Sequence, residues 1–227
     1  MKGCSMKRSI DVLLSLLALI TFLPFALIII LILKFTGEGV FYSQPRVGLR
    51  GDLFNVYKFV TMKRNSEYMG ARDITLKNDP RVLPFGKFLR KTKLNEVPQL
   101  INVLKGEMSI VGPRPHTPKT FEYYPEYERS IISAVKPGLT GLGSIFFRDE
   151  EAIIANSSKD YLECYMEDIQ PRKAQLEMWY AKNRSFWLDI KIIFSTILVV
   201  IFPGTKLHFK LIDSVQVLKD SIGFDQI

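Results

Sequence analysis

The fold is decided by the stretch VLLSLLALITFLPFALIIILIL, which runs from Val12 to Leu33. Its 22 residues include no charged side chain. As an α-helix they would extend roughly 33 Å, at about 1.5 Å per residue, which is enough to cross the hydrocarbon core of a bilayer. The sequence therefore predicts a membrane helix near its N-terminal end.

A cleaved signal peptide is a weaker interpretation of the same stretch. Lys2, Lys7 and Arg8 resemble the basic start of such a peptide. However, the apolar run is too long, and Lys34-Phe35-Thr36 follows it where small residues would form a cleavage site. The run is better explained as a segment that stays in the membrane.

A spanning helix and a re-entrant helix, which dips into the bilayer and returns, both remain open, and two features favour the second. Pro24 interrupts the backbone hydrogen bonding near the middle of the run and favours a kink there. Basic residues flank the run on both sides, with Arg8 before it and Lys34 and Arg46 after it. Because such residues prefer the cytoplasmic side, both flanks are accommodated only if the chain enters and leaves by one face.

The overall charge indicates an anionic partner. The 227 residues have a formal net charge of +8 and are 47% hydrophobic, so a folded core is expected. Composition alone allows nucleic acid, acidic lipid or a phosphorylated substrate. The basic residues are spread along the chain and form no known nucleic-acid-binding module, so nucleic acid is not expected as a partner. Cys4 and Cys164 are too far apart to suggest a disulfide framework or a metal site.

Beyond the apolar run, the patterns predict a helix-dominated α+β domain with a few short strands. Turn and strand signals occupy residues 38–62, and Asn95 is expected as the N-cap of a helix that holds Pro98 in its first turn. A second apolar stretch at 192–202 is too short to span and predicts an interfacial or a buried helix. We expect a membrane segment at 1–35, a folded domain at 36–205 and a tail at 206–227.

Four clusters have side chains suited to phosphate or metal chemistry. Lys58 lies between aromatic residues, and Glu96 follows Asn95 at a helix start, where negative charge is stabilised. Arg114 lies between two prolines in a rigid turn that would aim its guanidinium in one direction. Arg148 follows a glycine-rich turn and precedes three acids that suit Mg²⁺. Taken singly, most of these patterns are as well explained by ordinary strands, caps and surface loops.

The order of the motifs is more specific than any one of them. After the membrane run come KF-x-TM at 58–62, DPR at 79–81, GEMSIVGPRP at 106–115, KPG-x-TG at 136–141 and NRSFWLD at 183–189. This order resembles that of the bacterial sugar transferase family, the small monotopic phosphoglycosyl transferases, over roughly residues 6–200.

The resemblance implies a fold, a reaction and a location. It implies a re-entrant helix hinged near Pro24, interfacial amphipathic helices and a catalytic domain on the cytoplasmic face of the inner membrane. The implied reaction moves a sugar-1-phosphate from a UDP-sugar to polyprenyl phosphate, with Mg²⁺ as cofactor, as the first membrane step of a surface glycan pathway. By motif position, the residues predicted to be catalytic are Lys58, Asn95 and Glu96, with Glu96 also as the metal ligand. The residues predicted to bind substrate are Arg114, Arg148, Asp189 and, as a weaker match, Arg81.

One departure bears on the mechanism. The resemblance implies an Asp-Glu pair at the helix start, in which the aspartate takes up the phosphosugar and the glutamate holds the metal. Here the pair is Asn95-Glu96, and a carboxamide is a very poor nucleophile. Three hypotheses follow: direct transfer with Asn95 positioning a substrate, covalent transfer through Glu96 or one of the acids at 149–151, and a catalytically silent protein that binds nucleotide-sugar or a partner enzyme.

Overall fold

The computed structural model of the chain describes residues 2–69, 78–202 and 212. Helices dominate these residues, and two small two-stranded sheets accompany them, which confirms the helix-dominated α+β prediction. The chain forms two compact units, one of Met1–Arg46 with Leu53–Ile110 and one of Val47–Asp52 with Val111–Ile227. The predicted tail at 206–227 lies outside the described residues except for Ile212, and the predicted domain boundaries stay predictions.

The first unit contains the long apolar helix, one sheet and two short helices. Its elements are α1 (Lys2–Phe35), β1 (Phe41–Val47), β2 (Leu53–Phe59), α2 (Pro84–Lys91) and α3 (Gln99–Lys105), with 3-10 turns at Ser66–Tyr68 and Leu94–Glu96. Strands β1 and β2 pair with each other. Strand β3 (Ser109–Val111) lies where the chain passes from the first unit to the second.

The second unit is almost entirely helical. Its elements are α4 (Pro118–Glu122), α5 (Glu126–Ile132), β4 (Gly138–Thr140), α6 (Leu142–Phe146), α7 (Glu150–Asn156), α8 (Tyr161–Cys164), a π-helix (Tyr165–Ile169), α9 (Gln170–Asn183) and α10 (Phe186–Ile201). Helices α4 and α5 are separated at Pro125. Proline has no N–H to continue the helical hydrogen bonds.

Helix α1 runs without interruption through Pro24. Met6–Phe35 is the candidate membrane span among the described residues, and 11% of its most apolar window is buried by the rest of the protein. The proline therefore does not end the helix, and the predicted hinge and re-entrant path stay predictions. Near its C-terminal end, α1 packs against the rest of the first unit. There Ile29 and Leu33 lie in a buried cluster with Phe59 of β2 and Leu89 of α2.

Asn102 of α3 holds that helix against β2. Its side chain is fully buried; Oδ1 accepts a hydrogen bond from the Tyr57 N–H (3.1 Å), and Nδ2 donates to the Asn55 carbonyl oxygen (2.7 Å). An asparagine that satisfies a backbone donor and a backbone acceptor of one strand sets the register of the helix beside it. The segment before α3 is thereby placed next to the end of β2.

The predicted helix start at Asn95 is wrong. Asn95 lies in the 3-10 turn Leu94–Glu96, and α3 begins only at Gln99, after Pro98. The first N–H groups of α3 bond to carbonyls three residues back, Leu100 to Val97 and Ile101 to Pro98, so the α-helical ladder begins only after Pro98. The Asn95 side chain consequently caps no helix and is available for another role.

Helix α10 fits both interpretations of the second apolar stretch in part. One face, with Ile192, Ser195 and Val199, is buried in the second unit. The opposite face exposes large apolar side chains, among them Trp187, Phe194, Ile197 and Ile201.

Candidate active site

The first unit brings together the three residues predicted to be catalytic. Lys58 is near the end of β2, and its ammonium nitrogen lies 3.7 Å from Oε1 of Glu96, which belongs to the 3-10 turn before α3. Glu96 is 9% exposed and Asn95 is 7% exposed. A lysine and a glutamate that are both mostly buried form an ion pair screened less by water than a surface pair would be.

The Asn95 side chain has an unmet hydrogen-bonding capacity. Its Oδ1 atom is buried and accepts no hydrogen bond from any of the residues that the structure describes. A buried carbonyl oxygen without a donor costs about 1–3 kcal/mol, so such atoms are uncommon and are frequently completed by a ligand, an ion or water. The orphaned oxygen is the strongest indication that this turn is a binding site.

The same turn fits a magnesium ion. Mg²⁺ prefers oxygen ligands, usually keeps several waters and is typically held by one or two protein carboxylates together with substrate phosphates. Glu96 and the adjacent Asn95 oxygen match this sparse set. The described residues contain no cluster of three or more His, Cys, Asp or Glu side chains able to hold a metal on their own. An ion here would therefore share its coordination with substrate.

The Arg81 guanidinium binds one side chain and two backbone carbonyls of the protein itself. Its guanidinium pairs with the Asp79 carboxylate, with 2.6 Å from Nη2 to Oδ2 and 2.9 Å from Nε to Oδ1. Its Nη1 donates to the backbone carbonyls of Ser66 and Met69. These contacts join the described segments that end at Met69 and begin at Asn78, and substrate binding by Arg81 stays a prediction.

In the second unit, Arg114 is held by a buried carboxylate behind it. The Arg114 N–H donates to Oε1 of Glu177 (3.2 Å), and Oε2 of Glu177 lies 3.1 Å from Nε2 of His116. Glu177 comes from α9 and is 2% exposed. Both oxygens of this carboxylate are thus used to fix the segment that carries Arg114.

Close backbone packing further restricts Arg114. The Gly112 N–H donates to the Thr140 carbonyl (2.9 Å), and the Gly138 N–H donates to the Pro113 carbonyl (2.8 Å). A Cβ on Gly138 would lie 2.1 Å from the Gly112 nitrogen, so only glycine fits there. These contacts explain why glycine stands at 112 in the GPRP motif and at 138 in the KPG motif. They also support the predicted rigid turn at Arg114.

Tyr124 completes the surroundings of His116. The two rings are 4.8 Å apart between centroids. Burial, and next to it the negative charge of Glu177, raise the pKa of Tyr124 well above its usual value. Tyr124 therefore stays a neutral phenol, and its ring serves as packing for the His116–Glu177 pair.

Arg148 and Asp189 each contact their own unit. Arg148 donates through Nη1 to the Val199 carbonyl of α10. Asp189, in the first turn of α10, has its Oδ1 atom 2.7 Å from the Tyr180 hydroxyl, which also lies 3.1 Å from the Val111 carbonyl. Asp189 is thus part of a network linking α9, α10 and the end of β3. Among the acids after Arg148, Glu150 pairs with Lys173. Substrate binding by Arg148 and Asp189 stays a prediction.

The sequence analysis did not include Glu177 and His116 among the site residues. His116 directly follows the GPRP motif, which was a usable signal, whereas Glu177 is 61 residues further along the chain, so its link to His116 appears only in three dimensions.

Known proteins place these features in a family. A model described as bacterial sugar transferase matches residues 3–203. The chain belongs to this family. It is 37% identical over 212 residues to the undecaprenyl-phosphate galactose phosphotransferase of Salmonella typhimurium, which covers 86% of this chain and 40% of that protein. It is 38% identical over 204 residues to the undecaprenyl-phosphate glucose phosphotransferase of Komagataeibacter xylinus, covering 86% of this chain and 36% of that protein.

A shorter relative matches over most of its length. The exopolysaccharide production protein ExoY of Sinorhizobium fredii is 34% identical over 206 residues, covering 84% of this chain and 83% of that protein. By contrast, the chain spans about two fifths of the length of the galactose and glucose phosphotransferases. Membership of the bacterial sugar transferase family is confirmed as predicted from the order of the motifs.

Proposed function

We propose that this protein transfers a sugar-1-phosphate from a UDP-sugar to polyprenyl phosphate, with undecaprenyl phosphate as the acceptor, as two of its relatives' names indicate. An oxygen of the lipid phosphate attacks the sugar-bearing phosphorus of the donor. The bond from that phosphorus to the bridging oxygen breaks, and UMP leaves. The products are a polyprenyl-diphosphate-sugar and UMP, and the step would begin a surface glycan pathway.

The observation that carries the proposal is the Lys58–Glu96 pair beside the unpartnered Asn95 oxygen. Phosphoryl transfer requires little covalent chemistry from a protein and depends on positioning and on neutralising charge. A buried lysine, a carboxylate and an open acceptor in one turn supply a cation for phosphate oxygens, a ligand for a metal and a partner for a substrate or water donor.

Asn95 favours direct transfer over a covalent route. The lipid phosphate is already ionised near neutral pH, so it needs no strong base before it attacks. A carboxamide, in contrast, cannot readily accept a phosphosugar. In this proposal Lys58 binds donor phosphate and Asn95 orients the reactants. Phosphate binding by Arg114, in the rigid turn of the second unit, stays a prediction.

Magnesium fits as the cofactor. Glu96 would hold the ion, with the Asn95 oxygen as a second protein donor or as an acceptor for one of its waters. When bound, Mg²⁺ would neutralise the charge that develops on the diphosphate. Lys58 would neutralise a further part of it.

A re-entrant α1 and an inner-membrane site with its catalytic part on the cytoplasmic face belong to the same proposal. Residues of one unit contact α1 near both ends: Arg8 reaches the backbone of Val103, and Leu33 packs on Leu89. Arg8 and Leu33 would be roughly 37 Å apart along a straight helix, more than the hydrocarbon thickness of a bilayer. Contacts at both ends therefore favour an anchor that enters and leaves by one face. The exposed apolar face of α10 suits the lipid interface.

The test is a panel of radiolabelled UDP-sugars, including UDP-galactose and UDP-glucose, with undecaprenyl phosphate and Mg²⁺. Release of UMP together with a labelled lipid product is the expected result for at least one sugar. Removal of Mg²⁺ with EDTA should stop the reaction, and added Mg²⁺ should restore it. UMP release at background for every sugar would contradict the proposal and would favour the silent binding protein.

A further inference from the structure

We propose that Arg8 and Asp11 are positioning residues for the transfer reaction. Both residues dock α1 onto α3 and β3, and they thereby hold the Asn95–Glu96 turn in place. The inference rests on the proposed function for its kinetic part. Its structural part concerns two charged side chains at the edge of the apolar run.

Arg8 contacts the C-terminal end of α3. Its Nη1 donates to the Val103 carbonyl (2.5 Å), and its Nη2 donates to the Leu104 carbonyl (2.7 Å). The last carbonyls of a helix lack partners within the helix and carry partial negative charge, so a forked guanidinium is well suited to them. One side chain of α1 thus fixes the end of α3.

Asp11 contacts the strand that follows. Its Oδ2 accepts a hydrogen bond from the Ser109 hydroxyl (2.9 Å), and its Oδ1 accepts one from the Ile110 N–H (3.1 Å). Asp11 is 6% exposed. Burying a carboxylate is costly unless its oxygens are hydrogen-bonded, and here both oxygens are.

Arg8 and Asp11 lie with Ser15 on one polar face of α1, at the N-terminal edge of the apolar run. Arg8, Asp11 and Ser15 are spaced three and four positions apart, so they share a face, and Ser15 is fully buried. An anchor that only needed lipid and apolar packing would not place a buried charge here. Directional hydrogen bonds fix the angle and register of α1 on α3, which apolar packing alone leaves less defined.

Backbone hydrogen bonds join α3 to the residues that directly follow the Asn95–Glu96 turn. Leu100 donates to the Val97 carbonyl (3.0 Å) and Ile101 to the Pro98 carbonyl (3.0 Å), which join α3 to the turn that holds Glu96. A shift of α3 on α1 would therefore move Glu96. A misplacement of about 1 Å can cost on the order of 100-fold in rate.

The experiment compares two nearly isosteric substitutions at one position. Asp11→Asn keeps an acceptor for the Ile110 N–H and has a donor for the Ser109 oxygen, whereas Asp11→Leu keeps the bulk and loses both hydrogen bonds. Thr21→Leu is the control on the same helix, because the Thr21 side chain is exposed and its hydroxyl donates to Leu17 within α1. All variants are measured as full chains in nanodiscs.

Asp11→Leu should lower kcat about 10- to 100-fold while the dissociation constant for UDP-sugar stays within about twofold of the wild type. It should also speed hydrogen exchange at the Ile110 amide and in the Asn95–Glu96 turn. Asp11→Asn and Thr21→Leu should stay within about threefold of the wild type in kcat and show its exchange pattern. Arg8→Met, which keeps the aliphatic stem and loses both donors, should behave like Asp11→Leu and serves if that variant does not fold.

Wild-type kcat and wild-type exchange in both Asp11→Leu and Arg8→Met would overturn the inference. So would a loss in Asp11→Asn as large as that in Asp11→Leu. If the wild type transfers no sugar at all, the proposed function fails, and hydrogen exchange still decides the docking role.

Discussion

Two buried glutamates of this protein have opposite surroundings. Glu177 uses both oxygens within the protein, one for the Arg114 N–H and one for His116. Glu96 lies 3.7 Å from the Lys58 ammonium, and the neighbouring Asn95 oxygen accepts no hydrogen bond. The difference separates a carboxylate that fixes the backbone around Arg114 from one in a turn that we propose binds a ligand. Burial alone would not have told them apart.

The largest expected effect on transfer activity comes from removing the negative charge of Glu96. Glu96→Gln should reduce transfer about 100- to 1,000-fold, since it removes the metal ligand and the partner of Lys58. The melting temperature should fall less than in Glu177→Gln, since the Lys58 side chain is 19% exposed and its 3.7 Å distance to Glu96 is long for a hydrogen bond. Initial rates and thermal unfolding in nanodiscs measure both quantities, with Glu122→Gln on an exposed surface as the matched control. Activity within threefold of the wild type would remove Glu96 from the site.

The same substitution in the scaffold should act on stability. Glu177→Gln keeps one acceptor for the Arg114 N–H but loses the charge that pairs with His116. We expect the free energy of unfolding to fall by about 1–3 kcal/mol. Denaturant titration checks this, again with Glu122→Gln as the control. An unchanged free energy of unfolding would mean that the two glutamates do not differ as described.

Removing the Asn95 oxygen should lower activity without lowering stability. Asn95→Leu removes a buried acceptor that lacks a donor, so the free energy of unfolding should stay equal or rise by up to about 1 kcal/mol. Transfer should nevertheless fall about tenfold, because the reactants lose their orienting partner. A marked loss of stability would instead show that Asn95 holds the fold together.

Restoring the acid of the family pattern should have the smallest effect. Under direct transfer, Asn95→Asp should change the rate by less than about threefold, because the acceptor phosphate attacks without a protein nucleophile. Steady-state rates with the best sugar of the panel measure this. A rate gain of tenfold or more would show that the site remains built for covalent chemistry.

For the Leu94–Glu96 turn, the sequence indicated which residues to examine but did not predict their backbone conformation correctly. Motif order named Lys58 and Glu96 as site residues, and the structure places their charged groups 3.7 Å apart. The apolar run correctly predicted α1. Asn95 was expected to cap a helix, yet Pro98 separates its turn from α3.

The other differences depend on contacts between residues distant in the chain. The Asp79 partner of Arg81 is two residues away, but its backbone partners Ser66 and Met69 are 15 and 12 residues earlier in the chain. Asp11 stands one residue before the charge-free run, and its partners are 98 and 99 residues away. Its spacing from Arg8 was the only signal in the sequence.

Release of UMP in the absence of lipid acceptor tests the central claim most directly. Wild-type protein is mixed with UDP-sugar and Mg²⁺ by rapid quench, without polyprenyl phosphate. Direct transfer predicts no early release of UMP and no labelled protein, followed by turnover once the lipid is added. A burst of about one UMP per protein, with labelled phosphosugar on the chain, would contradict direct transfer at the Asn95–Glu96 turn.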